Sequence, residues 1–245
     1  MQKMRKTLFI SDLHLEENRP EITSQFISLL NQCDASVDAL YILGDLFEAW
    51  IGDDNDTPFH RKIMHALKEA SKQGLRIYFM HGNRDFLIGK KFLRETGCTL
   101  LSDEEKILLY DTPVLLMHGD TLCTKDHAYL KARKLGHNRF LQCLFLLMPL
   151  SSRRKFADKM RAKSARHTQS APKEIMDVTP EEVDRVMLKH GVKHLIHGHT
   201  HRPQTHHFTL NGHPATRMVL GAWHDQGNAI VWYENGEREL YNFCD

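Results

Sequence analysis

Asp12 and His14 stand two residues apart in the segment TLFISDLH (7 to 14). The period-two alternation of an extended chain sends both side chains the same way while Leu13 faces the other. Asp45, Asn83, His118, His197 and His199 follow four further apolar runs: YILGD (41 to 45), YFMHGN (78 to 83), VLLMHGD (114 to 120) and HLIHGH (194 to 199). All seven residues offer oxygen or nitrogen, and none offers a thiolate. Such donors suit Mn, Fe or Zn without selecting among them. Asp45 can bridge two ions, which divides the rest evenly: Asp12, His14 and His199 for one, Asn83, His118 and His197 for the other. Two ions roughly 3.5–4 Å apart would generate a reactive hydroxide and clamp the oxygens of an in-line displacement at phosphorus. Arg84, beside Asn83, adds a planar fork that matches phosphate geometry. Taken singly, each of these residues is more often a turn former, cap or ordinary polar group. Their recurrence in one kind of loop is what gives them weight, and the alternating histidines of HGHTH are the strongest single block.

Those loops need a frame. A short β-rich apolar run ending at glycine occurs in the four segments just named and again in MVLGAW (218 to 223), with TLFISDLH as a variant. Continuous apolar runs of this length suit strands buried on both faces, and the carboxyl ends of such strands are where α/β sheets bind ligands. Helices are punctuated between them. In 57 to 73, Thr57 can cap, Pro58 fits the first turn, Phe59, Ile63, Ala66, Leu67 and Ala70 form one stripe, and Gly74 stops it. Thr179-Pro180-Glu181-Glu182 reads as a capping box opening a helix that closes at Gly191, and Pro20 to Gln32 is amphipathic through Ile22, Phe26, Leu29 and Leu30. Asn211-Gly212 and Asn235-Gly236 predict hairpins near the C-terminus. The core is therefore α/β with substantial antiparallel content.

The 245 residues, 41% hydrophobic and 26% charged, suit a folded globular chain. Cys33, Cys98, Cys123, Cys143 and Cys244 are scattered without a C-x-x-C pair and read as free thiols in a reducing cytosol. Met1 to Lys6 is basic but leads into strand-like residues rather than a signal-peptide apolar region, so export is not expected. The longest apolar run, Phe140 to Leu150, falls well short of the ~20 residues needed to span a bilayer. Charge is unevenly placed. Residues 123 to 177 hold 13 Lys and Arg against 4 Asp and Glu, while the remainder holds 20 against 27. That stretch lacks strand signals and reads as a helical insertion above the site with an anionic partner, leaving 1 to 122 and 178 to 245 as the core.

The blocks D-x-H (Asp12, His14), GD (Asp45), GNRD (Gly82 to Asp85), HGD (His118 to Asp120) and GHTH (Gly198 to His201), in this order, resemble the calcineurin-like metallophosphoesterases. The resemblance implies an αββα sandwich, the seven ligands named above, and manganese as the metal. Within that family, YILGDLFEAWIGDD (41 to 54), HGNRDFLIGKKF (81 to 92), HGDTLC (118 to 123), IMDV (175 to 178) and LIHGHTHRP (195 to 203) resemble the UDP-2,3-diacylglucosamine pyrophosphatases of lipid A synthesis. This implies attack of water on the pyrophosphate to give UMP and 2,3-diacylglucosamine 1-phosphate (lipid X), with Asn83, Arg84 and His118 in catalysis. It also implies a helical lid over residues 123 to 177. There Phe140, Leu141, Leu144, Phe145, Leu147 and Met148 would form an apolar wall, and Arg153, Arg154, Lys155, Lys159, Arg161 and Lys163 a basic face.

Asp126 and Ser164 match head-group contacts of the family, Thr168 lies one helical turn beyond Ser164, and Asn83, Arg84 and His197 would also meet substrate. Ala171 stands where the family often carries a lysine, with Lys173 nearby. His201 is expected to support the ligands from outside the metal shell, while His206, His207 and His213 fall outside every block. The resemblance implies a cytoplasmic enzyme, peripheral on the inner membrane face through its lid, with no nucleic-acid partner and no obligate protein partner. The competing expectations are another two-metal phosphodiesterase (nuclease, cyclic-nucleotide phosphodiesterase or phosphatase) and an inactive scaffold. The scaffold predicts missing ligands, and all seven are present.

Overall fold

Why the apolar runs are continuous is visible in how successive side chains part to opposite faces. In β1 (Lys6–Ile10), Leu8 and Ile10 enter one apolar cluster and Phe9 another. In β2 (Val37–Leu43), Leu40 and Ile42 go one way, Tyr41 and Leu43 the other. β6 (Thr112–Met117) divides Leu115 and Met117 from Val114 and Leu116. The protein, described by a computed structural model over residues 3–170, 175–224 and 227–243, is thus built in layers.

One sheet runs β11-β10-β1-β2-β3-β4, with β3 (Arg76–Met80) and β4 (Thr99–Leu100) parallel to β2, β10 (Asn228–Tyr233) antiparallel to β1, and β11 (Arg238–Asn242) antiparallel to β10 at the other edge. The second runs β5-β6-β7-β9-β8, through β5 (Glu104–Leu109), β7 (His194–His197), β8 (Gln204–Leu210) and β9 (His213–Val219). Phe9, Tyr41, Leu116, Ile196, Met218 and Ile230 fill the space between the sheets. Outside them, α1 (Pro20–Gln32), α2 (Pro58–Lys72) and the short α3 (Lys90–Thr96) cover the first sheet and α7 (Pro180–His190) the second. This is the expected αββα sandwich.

The punctuation holds with one exception. Thr57 accepts from the His60 amide and caps α2, and both Asn-Gly pairs turn hairpins, with Asn211 and Gly212 at φ 47° and 79°. Thr179 opens α7, but its hydroxyl makes no cap. It accepts instead from Thr124 Oγ1 at 2.6 Å, and its amide donates to Leu122 O, so the residue fastens the returning chain. The β5–β6 turn at Tyr110 and Asp111 has positive φ without glycine or asparagine, and Tyr110 Oη reaches Asp38 Oδ2 at 2.7 Å.

Between β6 and α7 the chain rises into α4 (His127–Gly136), α5 (Arg139–Leu146) and α6 (Leu150–Ser170). Asp126 caps α4 through the Tyr129 amide, and Asn138 caps α5 through the amides of Phe140 and Leu141. The basic face loses one expected member. Arg153 is only 2% exposed, bonded to Ile51 O (2.6 Å), to Met148 O (3.0 Å) and to both carboxylate oxygens of Asp54. A buried guanidinium requires such a set of acceptors, so Arg153 pegs α6 to the core rather than meeting an outside anion.

Burial also raises the thiols: Cys98 to about 11 and Cys123 to about 12, whereas Cys143 on α5 is exposed. Among the described thiols, Cys143 is expected to take up iodoacetamide at pH 8 while Cys98 and Cys123 stay unmodified until the protein unfolds. Peptide mapping checks this, and rapid labelling of Cys98 in the native state would contradict it.

Candidate metal centre

The strand-end loops leave the sheets through backbone conformations that side chains rarely adopt. Asp12, His14, Asp45, His199 and His201 have φ of 55°, 49°, 52°, 66° and 55°. Each such residue costs of order 1–3 kcal/mol, and this concentration on adjacent loops is the mark of a site. Hydrogen bonds hold them. The amides of Asp12 and His14 donate to Gly44 O and Asp45 O, that of His199 to Asp12 Oδ2 at 2.9 Å, and that of Arg84 to Asp45 Oδ1 at 2.8 Å. Two glycines permit the approach: a Cβ on Gly82 would lie 2.2 Å from Asp45 Oδ1, and one on Gly198 would lie 2.1 Å from Ser11 Oγ.

The donors converge unevenly. Asp12, Asp45 and His118 bring one ligand atom each to within 4.8 Å of one another, as do Asp12, His14 and His201. His14 Nε2 is 3.8 Å and His118 Nε2 3.9 Å from Asp45 Oδ2, while His118 Nε2 and His199 Nδ1 lie 3.1 and 2.9 Å from Asn83 Oδ1. His201 Nε2 lies 3.3 Å from Asp12 Oδ1 and 3.4 Å from His14 Nε2, so it enters the group where His199 was expected. His199 sits with Asn83 and His118. His197 is fully buried, and its Nε2 meets Arg217 Nη1 at 3.3 Å.

Burial alone would raise Asp12, but the imidazoles of His201, His118 and His14 hold it well below the usual carboxylate range. His197 and His199 are pushed down to about 3 and about 4 by burial and by the cations beside them, which keeps both rings neutral, the state in which an imidazole can bind a metal. Burial lowers His118, yet Asp45, Asp12 and Asp120 outweigh it and raise the ring to about 9. The residues fit divalent cations. Asp12 Oδ1 is buried and makes no hydrogen bond among the described residues; the His201 ring stands 3.3 Å away as an ion-pair neighbour, and a buried carboxylate oxygen so placed calls for positive charge.

Three groups to which the motifs assigned no role act here. Ser11 Oγ donates to Asp12 Oδ2 at 2.5 Å. Asp120 Oδ2 accepts from Tyr129 Oη and Arg133 Nε, tying α4 to the loop that carries His118. Glu48 Oε2 receives His14 Nδ1 at 2.8 Å, leaving His14 Nε2 to face the cluster, and Arg84 Nη1 stands 3.7 Å from the other oxygen. Carboxylates of this kind fix the tautomer of a ligating imidazole. Glu48→Ala is expected to weaken divalent-ion binding, probed with Mn²⁺, roughly 10–100-fold by calorimetry, and unchanged affinity would remove that role.

A cavity of about 600 Å³ opens from Glu48, Asn83 and Arg84 toward Phe145, Phe156 and Met160, with Ser164 and Arg161 on its wall. Asp126 does not line it; it is buried at the start of α4. The side chain of Thr168 lies outside the described residues, as do Ala171 and Lys173. Phe140, Leu144 and Leu147 of the expected wall face outward, 70%, 48% and 77% exposed.

The profile of the calcineurin-like phosphoesterase family matches residues 5–203. A UDP-2,3-diacylglucosamine hydrolase of Coxiella burnetii (strain RSA 331 / Henzerling II) is 54% identical over 240 residues, 98% of each chain. Proteins of the same name from Pseudomonas aeruginosa and Photobacterium profundum are 54% and 51% identical, covering 95% and 94% of this chain and 97% and 94% of their own.

Proposed function

Because the chain belongs to the calcineurin-like phosphoesterase family, we propose that it hydrolyses the pyrophosphate of UDP-2,3-diacylglucosamine, giving UMP and 2,3-diacylglucosamine 1-phosphate. The observation that carries the substrate is the joining of a donor cluster to an apolar cavity: Asn83 and Arg84 belong to the rim of both. A phosphate placed at the cluster thus has room beside it for acyl chains, each buried CH₂ contributing about 0.8 kcal/mol.

Asp12, His14, Asp45, Asn83, His118, His197 and His199 would hold two divalent ions, probed first as Mn²⁺, with His201 beside Asp12 and His14. When bound, these ions supply positive charge for the phosphoryl oxygens and lower the pKa of water. The chain's own residues do the rest. Arg84, at the cavity mouth with its amide on Asp45, offers its guanidinium to the phosphate that stays with the sugar. Asn83 and His118 hold that edge of the cluster through their 3.1 Å contact, and His118 Nδ1 is fixed by Leu43 O at 2.8 Å. Phe145, Phe156 and Met160 exclude water from the lipid side. Ser164 and Asp126 are proposed as head-group contacts, the second by reorientation of α4.

The α4–α6 segment is proposed as the lid. No helix among the described residues is long and apolar enough to cross a membrane. Outward Phe140, Leu144 and Leu147, with the exposed Lys155 and Lys159 on α6, suit peripheral contact with an anionic inner-membrane surface. The deciding experiment is incubation with UDP-2,3-diacylglucosamine and Mn²⁺, following UMP with and without chelator. No UMP release, or release indifferent to chelator, would reject the reading.

A further inference from the structure

Arg217 projects from β9 beside β7, on the face that Ala215 and Leu195 give to the α7 cluster. By the same alternation His197 shares that face, and the two side chains meet, Nη1 to Nε2 at 3.3 Å. Arg217 is half-buried, yet among the described residues it forms no ion pair. The acidic group that acts on it, Asp177, is already engaged by Arg202. A guanidinium withdrawn from water needs acceptors, and a neutral imidazole nitrogen is a weak substitute for an anion. If His197 gives its Nε2 lone pair to a divalent ion, Arg217 loses even that acceptor, so the ion-loaded protein has an unpaired cation directed at its own centre.

The position of this cation is informative. Neither Arg217 nor His197 lines the apolar cavity, whose polar end is Asn83 and Arg84 after β3. In the second sheet β9 lies beyond β7, on the side away from β6 and its His118. The donor cluster is therefore flanked by two arginines. Arg84 looks into the lipid-sized space, and Arg217 stands on the flank that the space does not reach.

We infer that Arg217 binds the nucleotide-side phosphate of the substrate, the one that departs on UMP. The inference rests on the substrate proposed above and extends it. A pyrophosphate spanning the cluster has its lipid-side phosphate at Arg84 and its uridine-side phosphate at Arg217, which also holds UMP after the P–O bond has broken. Arg217 thereby sets affinity for the nucleotide half and is indifferent to the acyl half.

The test compares Arg217→Gln and Arg217→Lys with the unaltered protein, all loaded with Mn²⁺, using UMP and lipid X separately as probes in equilibrium binding and as product inhibitors. Loss of a charge-assisted contact should weaken UMP binding about tenfold or more in Arg217→Gln, with partial recovery in Arg217→Lys, unchanged lipid X affinity and an unfolding midpoint within about 2 °C of the parent. Unchanged UMP affinity overturns the inference, as does an equal loss for both probes, which would mean that Arg217 acts through His197 on the whole centre. Failure of the unaltered protein to bind UMP overturns it as well. Arg217-dependent UMP binding by a protein that leaves UDP-2,3-diacylglucosamine intact would instead keep the nucleotide site and reject the substrate.

Discussion

Asn83→Ala is expected to lower kcat/KM at least about 10³-fold, equivalent to roughly 4 kcal/mol of transition-state stabilisation, with little change in the stability of the ion-free protein. The asymmetry follows from geometry. Asn83 is half-exposed at the mouth of the cavity, and its Oδ1 lies 3.1 Å from His118 Nε2 and 2.9 Å from His199 Nδ1. Removing it takes little from the core but separates two of the donors that the phosphate must approach together. The comparison that decides is kinetic assay beside thermal unfolding with and without Mn²⁺: activity collapses, the ion-free midpoint stays, and the Mn²⁺-induced rise shrinks. Near-normal turnover would show that Asn83 belongs to the wall of the cavity and not to the centre.

Asp85→Ala should act the other way round, on stability first. The Asp85 carboxylate is fully buried, accepting from the amides of Gly82 (2.8 Å) and Leu46 (2.7 Å), with the Asp45 amide at 3.4 Å. Burial and the neighbouring Asp45 raise its pKa well above the ordinary carboxylate range. One side chain thus clamps the loop after β3 to the loop after β2. Alanine leaves two strong donors buried without acceptors at about 1–3 kcal/mol each, so urea unfolding should show a loss of roughly 2–6 kcal/mol. Activity should fall with it, because the same clamp holds Asp45 against the Arg84 amide. Asp85→Asn keeps an acceptor oxygen and should lose less of both. A stability change below about 0.5 kcal/mol, the range of ordinary surface substitutions, would show that the clamp is dispensable.

The sandwich and the strand-end placement of the seven donors were legible in the sequence because each rests on a local signal. An apolar run, a glycine and a polar residue within a few positions suffice to write a strand and its loop, and Asn211-Gly212 suffices for a hairpin. What stayed hidden depends on partners far along the chain. Arg153 looks like one cation in a basic helix until Asp54, 99 residues earlier, is placed against it. Thr179 fits a capping box, but its hydroxyl is taken by Thr124 across the neck of the α4–α6 segment. The Glu48 contact with His14 and the Arg217 contact with His197 are likewise pairings that no period or spacing encodes. HGHTH shows the limit within a motif, where alternation groups the three histidines but does not say that the His201 ring joins Asp12 and His14.

The left-handed backbone at Asp12, His14, Asp45, His199 and His201 sets durability against chemistry in the same few residues. Glycine would relax each of these positions, and at each it would also delete a side chain proposed to hold or support the ions, so on that proposal the most direct route to a hardier protein passes through an inert one. Gains in robustness must therefore come from elsewhere in the molecule, and a screen for heat-resistant variants run without selection for turnover should drift toward loss of these side chains.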